Sequence, residues 1–103
     1  MPWVQGELTD SRAASEIMVQ TAPLTQGRTV RVGLLVGAAV GFEGLLQVIG
    51  GATLRFSQFV PVTLSLVQFS NLGPFYVGEG DRIRFLARGD VSGTTQVSLF
   101  YDD

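Results

Sequence analysis

The chain has 103 residues and a net charge of −2; 46% of it is hydrophobic, only 16% is charged, and every basic residue is an arginine. It contains no Cys, His or Lys, which excludes a disulfide scaffold, a thiol nucleophile, Cys- or His-ligated zinc, imidazole general-base catalysis and Schiff-base chemistry. The acidic balance and the scatter of arginines among acids argue against a general nucleic-acid binder.

In chain order, residues 1–27 read as an N-terminal arm. They hold Trp3, Pro2, Pro23 and much irregular polar sequence; Asp10–Met18 has residues that tolerate one or two helical turns, but an extended arm with one short strand over Glu16–Thr21 is the reading preferred. Met1-Pro2-Trp3 shows neither the basic start nor the apolar run of a signal peptide, so none is expected. Residues 28–103 read as one β domain. Val30, Val32, Leu34 and Val36 share one side of a strand, with Arg31 and Gly33 on the other. Leu45–Ile49 is a short strand ended by Gly50-Gly51. Leu54 and Phe56 point inward, a bulge is expected before Pro61, and Val62, Leu64 and Leu66 follow inward. Val67 and Phe69 continue on the opposite parity. Asn71-Leu72-Gly73-Pro74 reads as a turn and Phe75–Val77 as a separate extended piece. Ile83, Phe85 and Ala87 point inward on the next strand, and Val97, Leu99 and Tyr101 on the last. Turn signals every 8–12 residues between seven or eight short strands are the signature of an all-β antiparallel sandwich or jelly-roll-like barrel. Gly89–Thr94 reads as a hairpin loop joining the last two strands, and matching inward residues sets Phe85 against Leu99, Ile83 against Tyr101, Ala87 against Val97 and Arg82 against Asp102.

No membrane segment is expected. The stretch from Phe56 to Gly78 is uncharged and long enough to span a bilayer. Its apolar residues nevertheless alternate with Ser57, Gln58, Thr63, Ser65, Gln68 and Ser70, and Pro61 and Pro74 interrupt it. The string Gly33, Gly37, Gly41 is confined between Arg31 and Glu43, too short a window to cross.

Carboxylates are the main acid–base groups that remain. Glu79 and Asp81 flank Gly80 and could supply two oxygen ligands to Ca²⁺, but Asp in such a turn ordinarily caps backbone amides. Asp90, Asp102 and Asp103 read as turn or terminal residues. No nucleophile–base–orienter set can be assembled, so no catalytic residue, metal site or cofactor is expected. Gly78-Glu79-Gly80 lacks a third glycine and leads into a strand, so it is no phosphate loop.

What remains is surface economy. Sixteen percent charge is thin cover for a small domain, and sheet edges without Lys need another cover. Arg82, Arg84 and Arg88 project from one side of a strand with Leu86, and Phe100 is placed with them. Arginine interleaved with exposed apolar groups fits a protein contact. Trp3, Arg82, Arg84, Leu86, Arg88 and Phe100 are therefore the interface candidates.

A compact all-β chain of this size without catalytic residues, with an arm before Arg28, resembles the small decoration (cement) proteins of tailed-phage capsids. The likeness runs chiefly over Arg28–Tyr101. The Gly78-Glu79-Gly80-Asp81-Arg82-Ile83 turn-into-strand and the final hairpin resemble the C-terminal strands of trimeric jelly rolls. The resemblance implies self-association into a homotrimer, binding to the major capsid protein, and a place on the virion exterior, with no nucleic-acid or membrane partner. Two alternatives stand beside it: another oligomeric tail or collar subunit, or a carbohydrate-binding β-sandwich module with Trp3, Tyr76 and Tyr101 as stacking candidates.

Overall fold

The computed structural model describes residues 3–11, 15–38, 42–62, 65–88 and 91–101. Eight strands account for nearly all of them: β1 (Trp3–Ser11), β2 (Ser15–Gln20), β3 (Arg28–Ala38), β4 (Phe42–Gly50), β5 (Thr53–Val62), β6 (Ser65–Val77), β7 (Arg82–Arg88) and β8 (Val91–Tyr101). Their antiparallel pairing is nested: β4 with β5, β3 with β6, β2 with β7 and β1 with β8. The chain is thus one long hairpin, turned between β4 and β5 and then rolled. Rolling adds the lateral pairs β3–β8 and β4–β7 and divides the strands into a front sheet, β1-β8-β3-β6, and a back sheet, β2-β7-β4-β5. This is a jelly-roll β-sandwich, as the spacing of short strands predicts.

The core follows from two-residue alternation. Val30, Val32, Leu34 and Val36 of β3 are buried, as are Ile83 and Phe85 of β7 and Val97 and Leu99 of β8. Each such side chain contributes roughly 1.5–3 kcal/mol on burial. Phe85 meets Phe42 edge to face at 6.4 Å. Gly44 makes room for that ring: a Cβ there would lie 2.7 Å from the Phe85 Cε1 and 2.7 Å from the Val60 carbonyl oxygen. Phe56 of the back sheet and Phe75 of the front stack at 4.9 Å and join one open side of the sandwich.

Several expectations are corrected. The described residues of the expected arm do not stand apart over β1 and β2: β1 lies along β8 and β2 along β7, each an edge strand. Phe85 and Leu99 are both buried, but β7 and β8 belong to different sheets and do not pair. Adjacent strands here cross the sandwich, and only β4–β5 closes locally. The expected partner Asp102, like Asp90 and Asp103, lies outside the described residues. The phase slip in β5 falls at Arg55, where the register shifts between Val48 and Ile49. Leu54 is thereby turned outward and is 50% exposed, and Phe59 is outward without a further bulge. Asn71–Pro74 does not end a strand. β6 runs through it, with a register shift opposite Val30/Val32 and a positive φ of 96° at Gly73. An edge strand tolerates that irregularity.

Candidate functional site

The outer side of the front sheet carries the residues that alternate with the core. β1 places Trp3, Gln5 and Glu7 there, and β8 places Phe100, Ser98 and Gln96 opposite them in that order. β3 continues the rows with Gly33, Leu35 and Gly37. Phe69 of the edge strand β6 stands opposite Leu35. The first row is aromatic. The rings of Trp3 and Phe100 stack at 6.0 Å with an interplanar angle of 23°. Gly33 is the saddle between Phe100 and Phe69: a Cβ built there would lie 3.8 Å from the Phe100 Cβ and 3.2 Å from the Phe69 Cζ. The Phe69 ring therefore lies down over the glycine. Trp3 is 55% exposed and Phe69 56%.

Beside the rings lies a polar strip. The Gln96 side-chain amide donates to the Glu7 carboxylate at 3.3 Å. Shallow depressions open between Gln5, Glu7 and Gln96 and between Leu35, Gly37, Gln96 and Ser98. Amides and hydroxyls both donate and accept hydrogen bonds. The arrangement is a flat apolar shelf with hydrogen-bonding amides, a hydroxyl and the Glu7 carboxylate at its edge, suited to a ligand with one apolar face and a hydroxylated rim.

Of the stacking candidates Trp3, Tyr76 and Tyr101, Trp3 is on this shelf. Tyr76 is exposed on the same side further along, opposite Thr29, with its hydroxyl against Gly27. Tyr101 is half-buried and packs against the core, so it offers no stacking face. Phe69, Gln5, Glu7 and Gln96 were not singled out by the sequence. Their rows exist only once β1, β8, β3 and β6 are in register, and a lone Phe or Gln carries no such signal.

The six interface candidates do not share a face. Trp3 and Phe100 are on the front sheet, while Arg82, Arg84, Leu86 and Arg88 are on the back. Placing Phe100 with the arginines was wrong because β7 and β8 lie in opposite sheets. Leu86 points outward but is only 5% exposed; it is covered by its row, between Ile17 of β2 and Leu45 of β4, with Phe59 of β5 beyond. The Arg84 Nε donates to the Gln47 amide oxygen at 2.8 Å.

The Glu79–Asp81 turn is built around Asp81. One carboxylate oxygen accepts from the Gly78 amide at 2.8 Å, and the other pairs with the Arg55 Nε at 3.2 Å. Its oxygens are thus engaged within the chain. Among the described residues, no three His, Cys, Asp or Glu side chains gather as a metal site, and no helix is long and apolar enough to cross a membrane.

No protein-family model and no curated protein matches the chain. Among solved structures it is similar to TmCBM61, a carbohydrate-binding module determined in complex with β-1,4-galactotriose: TM-score 0.50, 15% identity, covering 98% of this chain and 88% of that one. At that identity the likeness shows a shared β-sandwich fold.

Proposed function

We propose that this protein is a non-catalytic carbohydrate-binding module that holds a neutral oligosaccharide on the outer side of its front sheet. The observation that carries the reading is the aromatic patch made by the Trp3–Phe100–Gly33 row and the Phe69 ring, which lies over Gly33 from the neighbouring row, beside Gln5, Gln96, Ser98 and Glu7. A pyranose ring has C–H faces that rest on aromatic rings and equatorial hydroxyls that need donors and acceptors at the rim. The shelf supplies both. It spans three strand-to-strand steps, roughly 14 Å, the scale of a short oligosaccharide. The bound β-1,4-galactotriose of TmCBM61 makes galacto-oligosaccharides the first ligands to try. Isothermal calorimetry with β-1,4-galactotriose, followed by an array of neutral glycans, tests the reading. Binding that drops at least tenfold in Trp3→Ala and in Phe69→Ala is expected; absence of binding across the array sinks it.

A second reading is supported by a different observation. Ile17 and Phe59 are each about half exposed around the covered Leu86 on the back sheet. That apolar row suits the oligomeric capsid-decoration subunit, a homotrimer seated on the major capsid protein at the virion exterior. Light scattering that returns a monomer, with no retention on undecorated capsids, removes it.

A further inference from the structure

The back sheet carries a second cavity that the shelf does not use. At the end of the sheet, between the β4–β5 and β6–β7 turns, about 360 Å³ opens among Pro23, Ile49, Gly51, Gly80, Arg82 and Arg84, with Gln20 beside Arg84. This is the lower end of the size range of small-molecule sites. Its walls are tied. The Gly80 amide donates to the Leu24 carbonyl at 2.8 Å, and the Leu24 amide to the Asp81 carbonyl at 2.9 Å. Gly51 and Gly80 have positive φ, 60° and 82°, and open space where a Cβ would stand.

The charge in this cavity is uncompensated. Arg82 and Arg84 are two residues apart on one side of β7, so their Cα atoms are roughly 7 Å apart. The Arg84 Nε is fixed by the buried Gln47 amide oxygen, which orients the guanidinium and leaves its other N–H groups without partners among the described residues. Arg82 makes no ion pair among the described residues. Among the described residues, no carboxylate lines the cavity. Asp81 is turned to Gly78 and Arg55, and Glu79 is exposed on the neighbouring turn outside the lining. One guanidinium fork oriented by Gln47 and a second on the same side of β7, with no carboxylate among the described lining residues, suit an oxyanion, because Arg binds carboxylate and sulfate through paired N–H donors.

We propose that this cavity binds the carboxylate or sulfate-ester group of a sugar-sized molecule, held between Arg82 and Arg84. The site shares no residue with the front shelf and stands whether or not the shelf binds glycans. Titrating the full-length chain with galacturonate, galactose 6-sulfate, galactose and inorganic sulfate, followed by amide NMR, tests it. The expected result is perturbation of the Gly51, Gly80, Arg82 and Arg84 amides by one or both acidic sugars, with affinity at least tenfold above neutral galactose. Whichever acidic sugar binds tighter names the group, carboxylate or sulfate ester. Arg82→Gln, an exposed substitution whose fold the same spectrum checks, should weaken that binding at least tenfold, while Trp3→Ala leaves it unchanged. Equal binding of neutral and acidic sugars, acidic binding indifferent to Arg82→Gln, or inorganic sulfate binding as tightly as galactose 6-sulfate would each overturn the proposal.

Discussion

Among the described residues, the two outer faces of the sandwich divide the exposed large hydrophobics evenly and use them differently. Trp3, Phe69 and Tyr76 are on the front, and Ile17, Leu54 and Phe59 on the back. Both faces carry an apolar stripe reaching across four strands, in register on the back and on the front completed by the Phe69 ring, which leans from the Leu35 row over Gly33. On the front, the centre of the row is Gly33, so the flanking rings have nothing to bury and spread flat over the strand. On the back, the centre is Leu86 beside Leu45, and the row closes over its own middle. The residue at the row's centre decides whether the hydrophobic stripe is a platform or a thin outer core. The polar neighbours follow suit: neutral amides and a hydroxyl beside the rings, arginines beside the aliphatics.

The largest expected effect breaks the symmetry between those faces. Leu86→Ala should destabilise the protein by about 2–4 kcal/mol, the ordinary cost of a large-to-small change at a covered site, although the side chain points away from the core. Phe59→Ala in the same row, half exposed, should cost less than about 1 kcal/mol, as surface substitutions do. Urea unfolding of the two variants measures the difference. Equal losses would show that the back row is open throughout.

Next in size is the loss of the front rings. Trp3→Ala or Phe69→Ala should weaken oligosaccharide binding at least tenfold, about 1.4 kcal/mol or more. Both side chains are more than half exposed, so the unfolding midpoint should scarcely move. Calorimetry and denaturation on the same samples separate the two effects.

Gly33→Val sharpens the argument about the row's centre, with a smaller effect of opposite sign on stability. A β-branched side chain suits a strand interior better than glycine does, so stability should rise by up to about 1 kcal/mol. The new Cβ stands 3.2 Å from Phe69, and the ring must swing off the saddle. Binding on the front should fall about fivefold, in the lower range of an aromatic contact. A variant that is both more stable and as tight a binder would show that the flat ring over Gly33 plays no part in recognition.

How far these faces can be read from sequence depends on the range of the interaction that makes them. The inward set on β3, β7 and β8 is local, and two-residue alternation finds it: Val30, Val32, Leu34, Ile83, Phe85 and Leu99 are all buried. The strand pairing is not local. A hairpin between the last two strands satisfies every rule of facing residues, yet nested rolling sends them to opposite sheets. That single difference moved Phe100 away from the arginines and set it against Trp3. The β5 phase was misread for a related reason. Phe59 looks like the break, but the extra residue is Arg55, whose side chain reaches across Gly50 to the buried Asp81. Of the shelf, Trp3 and Phe100 were visible as aromatics outside the core pattern. Phe69 and the glutamines were not, because only register brings them to one face, Phe69 and Gln5 in the row of Leu35 and Gln96 in the next.

The smallest expected effect concerns the one carboxylate at the edge of the shelf. Glu7 accepts from Gln96 at 3.3 Å in an exposed position, and such surface contacts are worth about 0–1 kcal/mol. Glu7→Gln removes the charge and keeps an acceptor of the same reach. Unfolding free energy should change by less than about 0.5 kcal/mol, and the affinity for β-1,4-galactotriose by less than twofold, at low and high salt alike. The rings make contact through dispersion and burial, which salt does not screen, and the neutral ligand offers Glu7 no charge to meet. A tenfold loss that appears only at low salt would mean that the Glu7 charge anchors the ligand. The front face would then hold its neutral ligand partly through hydrogen bonds donated by sugar hydroxyls to that carboxylate, and stacking alone would not set it apart from the arginine-lined back.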